Sequence, residues 1–258
     1  MMKPMRRWWN RNRFDLVEVA LLSAVIILIA FAVTRPTNPQ TNEGAALEEK
    51  YGPGHFSANA EEWIIRDVFN DRRGGFFVDV GAGHYASLSN TYYLERMLGW
   101  SGLAIDALQH FKPDYDAHRP RTRFFSFFVG EVSTDTVKMY TLGPDFAGSS
   151  SDKEFVRRFG DRPDEVTVPT ITLNDLLERE NVGPIDFMSM DIELSEPAAL
   201  AGFDIERYRP SLVCIEAHPE VRQAILDYFT RHNYVVLGKY LRIDEANLYF
   251  APLDPRQP

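Results

Sequence analysis

The chain has 258 residues, 45% of them hydrophobic and 25% charged, and a formal net charge of −9. This is the composition of an ordinary globular protein with room for one sizeable core. Residues 1–35 carry six Lys or Arg against two Asp or Glu, which leaves −13 on the remaining residues. So acidic a body is a poor partner for phosphate backbones, and the sequence predicts no nucleic-acid partner.

The N-terminal segment predicts a membrane anchor. A basic tail, residues 1–15, precedes an apolar run over residues 16–33. Eighteen helical residues span roughly 27 Å, enough for a bilayer core. A cleaved signal peptide with an Ala30-Phe31-Ala32 cleavage site is the alternative. The basic residues before the span place the N-terminus in the cytoplasm, while the membrane side of the remaining chain stays open.

The rest of the chain predicts a linker over residues 34–56, rich in Pro, Gly, Asn and Thr, and one domain over residues 57–258. In this domain, helical and apolar strand-like segments alternate. In chain order they are the helix AEEWIIRDVFN, the strand FFVDV, the helix SNTYYLERML, the strand GLAID, a helix near 109–118, the strand RFFSFFV, the helix TLNDLLERE, the strand IDFMSMD, a short helix near 197–201, the strand SLVCIEA, the helix EVRQAILDYFT and the strands YVVLGKY and ANLYFAP.

Such alternation is typical of a doubly wound α/β fold, in which helices cover both faces of a mostly parallel sheet. The last two strands are too close in sequence for a crossover helix, so we expect them to form an antiparallel hairpin. The single cysteine, Cys214, lies within an apolar strand and is expected in the core.

Polar residues follow four of the predicted parallel strands, where ligands bind in folds of this kind. Asp79 and the glycines after it end the first strand, and Asp106 ends the second. The fourth strand ends in an acidic pair, and the fifth ends in a Glu and a His: Asp191, Glu193, Glu216 and His218.

The loop after the first strand is compatible with two kinds of ligand. From Gly81 it is G-A-G-H-Y-A, which fits the dinucleotide-binding pattern; from Asp79 it is D-V-G-A-G, the usual opening of an S-adenosylmethionine (SAM) site. Asp106 is placed to accept the ribose hydroxyls of either NAD or SAM. Asp79 favours SAM, because a carboxylate would repel a pyrophosphate and attract a sulfonium or ammonium.

Six blocks together resemble the FkbM-type SAM-dependent methyltransferases. They are FFVDVGA, SNT, GWSGLAID, TITLNDLL, IDFMSMDIE and RPSLVCIEAH, and the resemblance covers roughly residues 60–250 with block order and spacing preserved. It implies a Rossmann-like class I methyltransferase sheet with strand order 3-2-1-4-5-7-6 and SAM as cofactor. It also implies O-methylation of a hydroxyl on a sugar, a glycan or a small metabolite.

The resemblance further implies site residues. Asp79, Gly81 and Gly83 would form the first SAM motif, Asp106 would contact the ribose, and Asn90 would face the donor. The fourth-strand block departs from the family pattern Asp-Val-Glu-Gly-x-Glu, because Leu194 replaces the glycine. Where that glycine takes a positive φ, leucine is strained or remodels the loop.

Methylation of an alcohol requires a base for its proton. The acidic pair at the end of the fourth strand, Asp191 and Glu193, is the favoured source, and His84 after the glycine loop is a further catalytic candidate. Asp191, Glu216 and His218 are weaker candidates for binding a divalent metal, because their spacing permits a metal site without indicating one.

Two further regions carry expectations. The aromatic run Phe124, Phe125, Phe127 and Phe128 is expected to belong to the sheet core. Residues 142–165, which contain G-S-S-S at 148–151, form the least regular part and are expected to provide an acceptor loop.

Two alternative functions remain open. A membrane-anchored, metal-dependent glycosyltransferase would use Asp191 and Glu193 to hold a metal and a nucleotide sugar. A methyltransferase-like domain that has lost catalysis and serves binding or trafficking would account for Leu194 and for an anchor that places the domain outside the cytoplasm.

Overall fold

The computed structural model describes residues 39–133, 136–144 and 146–253. The described residues from Gly44 onward form one compact unit. Its centre is a seven-stranded sheet of order β10-β11-β9-β8-β1-β2-β3. The bounds of these strands are β1 Phe76–Val80, β2 Ser101–Asp106, β3 Thr122–Ser126, β8 Phe187–Met190, β9 Leu212–Glu216, β10 Tyr234–Val236 and β11 Asn247–Pro252.

The strand order confirms the expected 3-2-1-4-5-7-6 arrangement. β3, β2, β1, β8 and β9 run parallel, whereas β11 is antiparallel to both β9 and β10. The carboxyl ends of β1, β2, β8 and β9 therefore meet at one edge of the sheet, with β1 between β2 and β8. That edge is where the chemically informative residues gather.

Side chains alternate between two cores, one on each face of the sheet. Val78 and Val80 pack with Leu103 and Met188 in one core, while Phe77 packs on the opposite face. Cys214 is buried with Phe77, as its apolar context predicts. Both faces of the sheet are therefore covered, which explains the nearly continuous apolar runs of its strands.

The helices that cover the sheet correspond largely to the predicted ones. Their bounds are α1 Pro39–Tyr51, α2 Glu61–Phe69, α3 Tyr92–Leu98, α4 Lys112–His118, α5 Lys153–Arg157, α6 Leu173–Arg179, α7 Glu196–Ala201, α8 Ile205–Tyr208 and α9 Arg222–Arg231. Short 3₁₀ turns cover Gln109–Phe111 and Gly238–Tyr240.

The aromatic strand after α4 is shorter than its apolar run indicates. β3 ends at Ser126, and the backbone N–H of Phe127 donates to the carbonyl oxygen of Asp106 at 3.0 Å. The chain then leaves the main sheet and forms β4, Phe128–Val129, which pairs with β7, Thr170–Ile171. The aromatic run consequently divides, and only part of it enters the sheet core.

The irregular middle contains more structure than its sequence predicts. β5, Val137–Thr141, pairs antiparallel with β6, Asp164–Val168, beside the main sheet. Between them, α5 begins after Asp152, whose side chain accepts the backbone N–H groups of Glu154 and Phe155. The segment 148–151 is thereby held between a strand and a capped helix.

The predicted linker requires a correction. Over Pro39–Tyr51 the chain is helical, and Leu47 is buried against Ile64 and Ile65 of α2. The predicted membrane span, residues 16–33, lies outside the described residues. Within the described ranges, no helix is long and apolar enough to cross a membrane.

Candidate SAM-binding and methyl-transfer site

A cavity of about 360 Å³ opens at the carboxyl edge of the sheet. This volume is within the range of small-molecule sites. Its wall combines backbone of the loop after β1, the ends of β2 and β8, and aromatic side chains. The residues that line it include Gly81, Gly83, His84, Asp106, Phe127, Phe146, Asp191 and Glu193.

The glycine loop, residues 81–87, requires glycine at its first position. Gly81 has φ +83°, and a Cβ placed there would lie 1.7 Å from the backbone oxygen of Asp191. Gly83 also has a positive φ, +53°, and no atom lies within 4 Å of the position of a Cβ. The first glycine thus permits the close approach of β1 and β8, and the second permits the turn along the cavity wall.

Asp106 is fixed at the end of β2 by two backbone donors. Its Oδ2 accepts the N–H of Gly83 at 2.9 Å, and its Oδ1 accepts the N–H of Leu108 at 2.8 Å. Burial raises the pKa of this carboxyl despite these two bonds. Each oxygen retains a second lone pair for a ligand hydroxyl, as ribose recognition requires.

Asp79 lies beneath the cavity, and the structure does not bring it to the wall. Its Oδ2 accepts the hydroxyl of Thr91 at 2.7 Å, and the side chain is buried. Burial raises the pKa of Asp79 to about 6. Strand alternation explains the placement, because Asp79 shares the sheet face of Phe77, toward α3.

Asn90 likewise lies away from the cavity wall. Its Nδ2 donates to the hydroxyl of Ser189 at 3.0 Å, and its Oδ1 is buried without a partner in the described residues. The side chain therefore joins the start of α3 to β8. The geometry supports a positioning role for Asn90 more directly than the expected donor contact.

A buried hydrogen-bond network that the sequence does not predict supports the glycine loop. Arg119, only 1% exposed, donates from Nε to Glu95 at 2.5 Å and from Nη2 to the hydroxyl of Thr91 at 3.2 Å. Its Nη1 donates to the carbonyl oxygen of Tyr85 in the loop at 2.8 Å, and the hydroxyl of Tyr115 donates to that of Ala82 at 3.2 Å. The Arg119 network thus joins Asp79, through Thr91, to the backbone of the loop.

His84 lines the cavity, but its ring is engaged in the loop. Nδ1 accepts the backbone N–H groups of Ala86 and Ser87 at 3.1 and 2.9 Å. A neutral ring in this arrangement carries its proton on Nε2 and has no free acceptor. The geometry therefore favours the carboxylates over His84 as the proton acceptor.

The acidic loop, residues 191–196, forms the opposite wall. Asp191 contacts solvent in the cavity while protein atoms crowd its other sides, and this desolvation raises its pKa. Desolvation and the charge of Asp191 also raise the pKa of Glu193, whose Oε2 lies 3.0 Å from Nε2 of His218. Both carboxylates predicted as the base therefore reach the cavity.

The departure from the family pattern falls on strained backbone. Leu194 has φ +75° and Glu193 has φ +52°, so two consecutive residues are left-handed. The buried hydroxyl of Ser150 donates to the carbonyl oxygen of Glu193 at 2.6 Å. The 148–151 segment thus holds the acidic loop in a conformation that disfavours a side chain.

Two of the three predicted metal ligands lie close together, and a different carboxylate joins them. Glu193, Glu216 and His218 each direct a ligand atom to within 4.8 Å of the others. Glu193 therefore takes the position in this cluster that was predicted for Asp191. The adjacency of β8 and β9 explains the convergence, because both strands end at the same edge.

The aromatic expectation is wrong for one of its four members. Phe124 is buried with Tyr115 in the sheet core, and Phe125 packs against the core as predicted. Phe127 packs against the same core and also lines the cavity. Phe128 lines the cavity instead, because the chain leaves the sheet after Ser126. Phe146 of the expected acceptor loop also lines the cavity.

Comparison with known protein families identifies the family of this chain. The methyltransferase FkbM domain model matches residues 79–236, more than half of the chain. The seven-stranded sheet with the 3-2-1-4-5-7-6 order and a glycine loop beside an acidic strand end defines a class I, SAM-dependent methyltransferase. The chain belongs to the FkbM methyltransferase family, and its cofactor is S-adenosyl-L-methionine. This membership argues against the glycosyltransferase alternative.

Several solved structures match this chain at low sequence identity. A TehB-like SAM-dependent methyltransferase from Corynebacterium glutamicum is 13% identical, covers 83% of this chain and 100% of its own, and has a TM-score of 0.43. An O-methyltransferase from Bacillus cereus in complex with SAH is 11% identical, with coverages of 88% and 94% and a TM-score of 0.39. A methyltransferase from Geobacter sulfurreducens is 10% identical, with coverages of 90% and 96% and the same TM-score. The search of curated proteins gave no match.

Proposed function

We propose that this protein transfers the methyl group of SAM to a hydroxyl group of a sugar, a glycan or a small metabolite. One observation carries the proposal: the acidic pair Asp191 and Glu193 lines the same cavity as the glycine loop and Asp106. An oxygen nucleophile must lose its proton as it attacks, and carboxylates at the reacting end of the cavity supply the acceptor.

The residues present fit the cofactor. The turn at Gly83 leaves the loop backbone open toward the cavity, Asp106 offers carboxylate lone pairs, and the uncompensated acidic wall suits a cationic sulfonium and ammonium. Aromatic side chains beside Asp106, including Phe127, offer an apolar surface for the adenine. When bound, the cofactor supplies the activated methyl group.

The protein's own contribution is alignment and proton removal. Asp106 and the glycine loop orient the donor, and Phe146, Ala147 and Ser149 line the part of the cavity that remains for an acceptor. Holding two reactants in line supplies ~7–11 kcal/mol of the barrier. Asp191 or Glu193 accepts the hydroxyl proton as the new carbon–oxygen bond forms.

Measuring methyl transfer and donor binding separately distinguishes the residues that remove the proton from those that bind the donor. We expect Glu193→Gln and Asp191→Asn to retain binding of S-adenosylhomocysteine (SAH) while at least one loses methyl transfer. Radiolabelled SAM with a panel of sugars, glycans and hydroxylated metabolites measures the transfer, and calorimetry measures the binding. Normal turnover in both variants contradicts the assignment of the base. SAH binding without turnover on any hydroxyl acceptor supports the alternative of a catalytically inactive binding domain.

We further propose that residues 16–33 anchor the enzyme in a membrane by one pass, with the N-terminus in the cytoplasm. The basic tail and the apolar run support this topology. A reporter fused to the C-terminus, active on only one side of the membrane, reports where the domain lies. Recovery of the full chain in the soluble fraction, without carbonate or detergent, contradicts the anchor.

A further inference from the structure

The three side chains at the ends of β8 and β9 have the spacing of ligands around one cation. Nε2 of His218 lies 3.0 Å from Oε2 of Glu193 and 3.1 Å from Oε2 of Glu216. Two ligand atoms at ~2.1 Å from a metal and at right angles to each other lie about 3 Å apart. The cluster therefore needs little rearrangement to place all three atoms on one ion.

Carboxylate oxygens in and beside this cluster lack partners. Oε2 of Glu216 is buried and accepts no hydrogen bond from an N–H or O–H donor of the described residues, and the carboxyl group of Glu216 instead contacts that of Asp191. Glu196 is fully buried: its Oε1 accepts the N–H of Ile192 at 3.0 Å, while its Oε2 has no partner there either. Unpaired buried polar atoms are costly, and each calls for an explanation.

Positive charge is also missing around the acidic loop. In the described part of the chain, the ion pairs of Asp191, Glu193, Glu196 and Glu216 include no Lys or Arg, and His218 alone pairs with any of them. Elsewhere in the described residues, the buried carboxylate of Glu95 is paired with the guanidinium of Arg119. A divalent cation at this edge of the sheet would supply positive charge to these carboxylates.

We propose that Glu193, Glu216 and His218 bind one divalent metal ion, and that this ion orients the acceptor hydroxyl. Two carboxylates with one imidazole suit Mn²⁺ or Zn²⁺ better than Ca²⁺. Glu193 lines the cavity, so an ion on its carboxylate faces the acceptor end of the site. Asp191 then remains as the proton acceptor. The orienting role rests on the proposed function, whereas the binding of the ion does not.

The direct test is Mn²⁺ titration of the full-length chain, followed by electron paramagnetic resonance. Because protein-bound Mn²⁺ loses the sharp six-line signal of the free ion, we expect that signal to disappear up to one equivalent. Spin-echo modulation of the bound ion should show one imidazole nitrogen, which His218→Gln removes. We expect His218→Gln and Glu216→Gln each to weaken binding by at least ~10-fold.

The chain provides a matched control. His232, directly after α9, and Glu206 of α8 form a second His–Glu pair, with 3.2 Å between Nδ1 and Oε1. His232→Gln should bind Mn²⁺ as the wild type does. The proposal is overturned by an undiminished Mn²⁺ signal with folded wild-type protein, or by equal binding in the wild type and His218→Gln.

Parallel calorimetry with SAH separates this inference from the proposed function. SAH binding without Mn²⁺ binding overturns the metal site and leaves the methyltransferase assignment intact. Mn²⁺ binding without SAH binding overturns the proposed function and leaves the metal site. We expect wild-type protein to bind both and His218→Gln to bind SAH alone, with a circular dichroism spectrum like that of the wild type.

Discussion

Single residues at the carboxyl edge of the sheet adopt conformations that their side chains disfavour. Glu193 and Leu194 are consecutive left-handed residues, a conformation that costs an L-residue with a Cβ roughly 1–2 kcal/mol. The hydrogen bond from Ser150 to the carbonyl oxygen of Glu193 offsets part of this cost. The strain lies at Glu193, the second of the two carboxylates that face the cavity, and at the residue directly after it, so the loop is held in shape by its surroundings.

Glycine should be more stable than alanine at position 194. Alanine retains the Cβ that opposes φ +75°, whereas glycine does not. We expect Leu194→Gly to exceed Leu194→Ala in unfolding free energy by ~1 kcal/mol, the reverse of the order in helices. Urea denaturation of the two variants measures the difference. An alanine variant that equals or exceeds the glycine variant would show that the backbone carries no strain there.

Asp79 should make stability depend on pH. Burial raises its pKa to about 6, above the ordinary value of 3.8, so its contribution is full below pH 3.8 and is lost as the pH rises through 6. The groups that face it are Thr91, Arg119, Tyr115, Asp106 and Asp191. Between pH 7.5 and 4.5, we expect wild-type unfolding free energy to rise by ~2 kcal/mol relative to Asp79→Asn.

The same pH series in both proteins provides the comparison, because titration of the remaining carboxyls is common to the two. Parallel curves for wild type and Asp79→Asn would mean that Asp79 is ionised without penalty in the folded protein.

At the scale of elements, loops are held by side chains from distant strands and helices. The glycine loop depends on Arg119, which follows α4, and the acidic loop depends on Ser150, which precedes α5. Neither link is visible in a local sequence pattern, because each joins residues more than 30 positions apart. The loops that present side chains to the cavity are therefore separate in sequence from the segments that hold those loops in place.

The buried pair of Arg119 and Glu95 tests this dependence. Arg119→Met leaves Glu95 without its cation and should cost ~3–5 kcal/mol. Glu95→Gln in the Arg119→Met background should then cost much less than in the wild type, giving a coupling of ~1–3 kcal/mol. Guanidinium denaturation of the four proteins measures the cycle. Additive effects would show that the two side chains do not depend on each other.

At the scale of the whole molecule, the sequence predicts the sheet well, because its strands are buried on both faces and read as apolar runs. The short spacing of the last two strands, YVVLGKY and ANLYFAP, predicts the closing hairpin, whereas the strand order is what the resemblance to the FkbM-type methyltransferases implies. The helix Pro39–Tyr51 was missed because its segment is polar and Leu47 provides its buried contact. Local composition indicates a linker there, and tertiary packing decides otherwise.

The sequence predicts part of the site, because the ends of parallel strands gather at one edge of the sheet. Strand ends locate Asp106, Asp191 and Glu193, since all parallel strands deliver residues to one edge. The position of a residue at a strand end does not determine the direction of its side chain. The side chains of Asp79 and Asn90 therefore point away from the cavity without contradicting that rule. Phe127 and Phe128 reach it because the strand stops at Ser126, a break that the apolar pattern does not reveal.

The central claim is that the cavity beside Asp106 binds the SAM skeleton. Calorimetric titration of the full chain with SAH, NAD⁺ and a UDP-sugar tests it most directly, with Asp106→Ala as the variant and Asp114→Ala on the exposed face of α4 as the control. We predict one SAH site per chain, no heat from NAD⁺ or the UDP-sugar, loss of SAH binding in Asp106→Ala and wild-type binding in Asp114→Ala. No heat with SAH at millimolar concentration, from protein with a cooperative unfolding transition, would contradict the account.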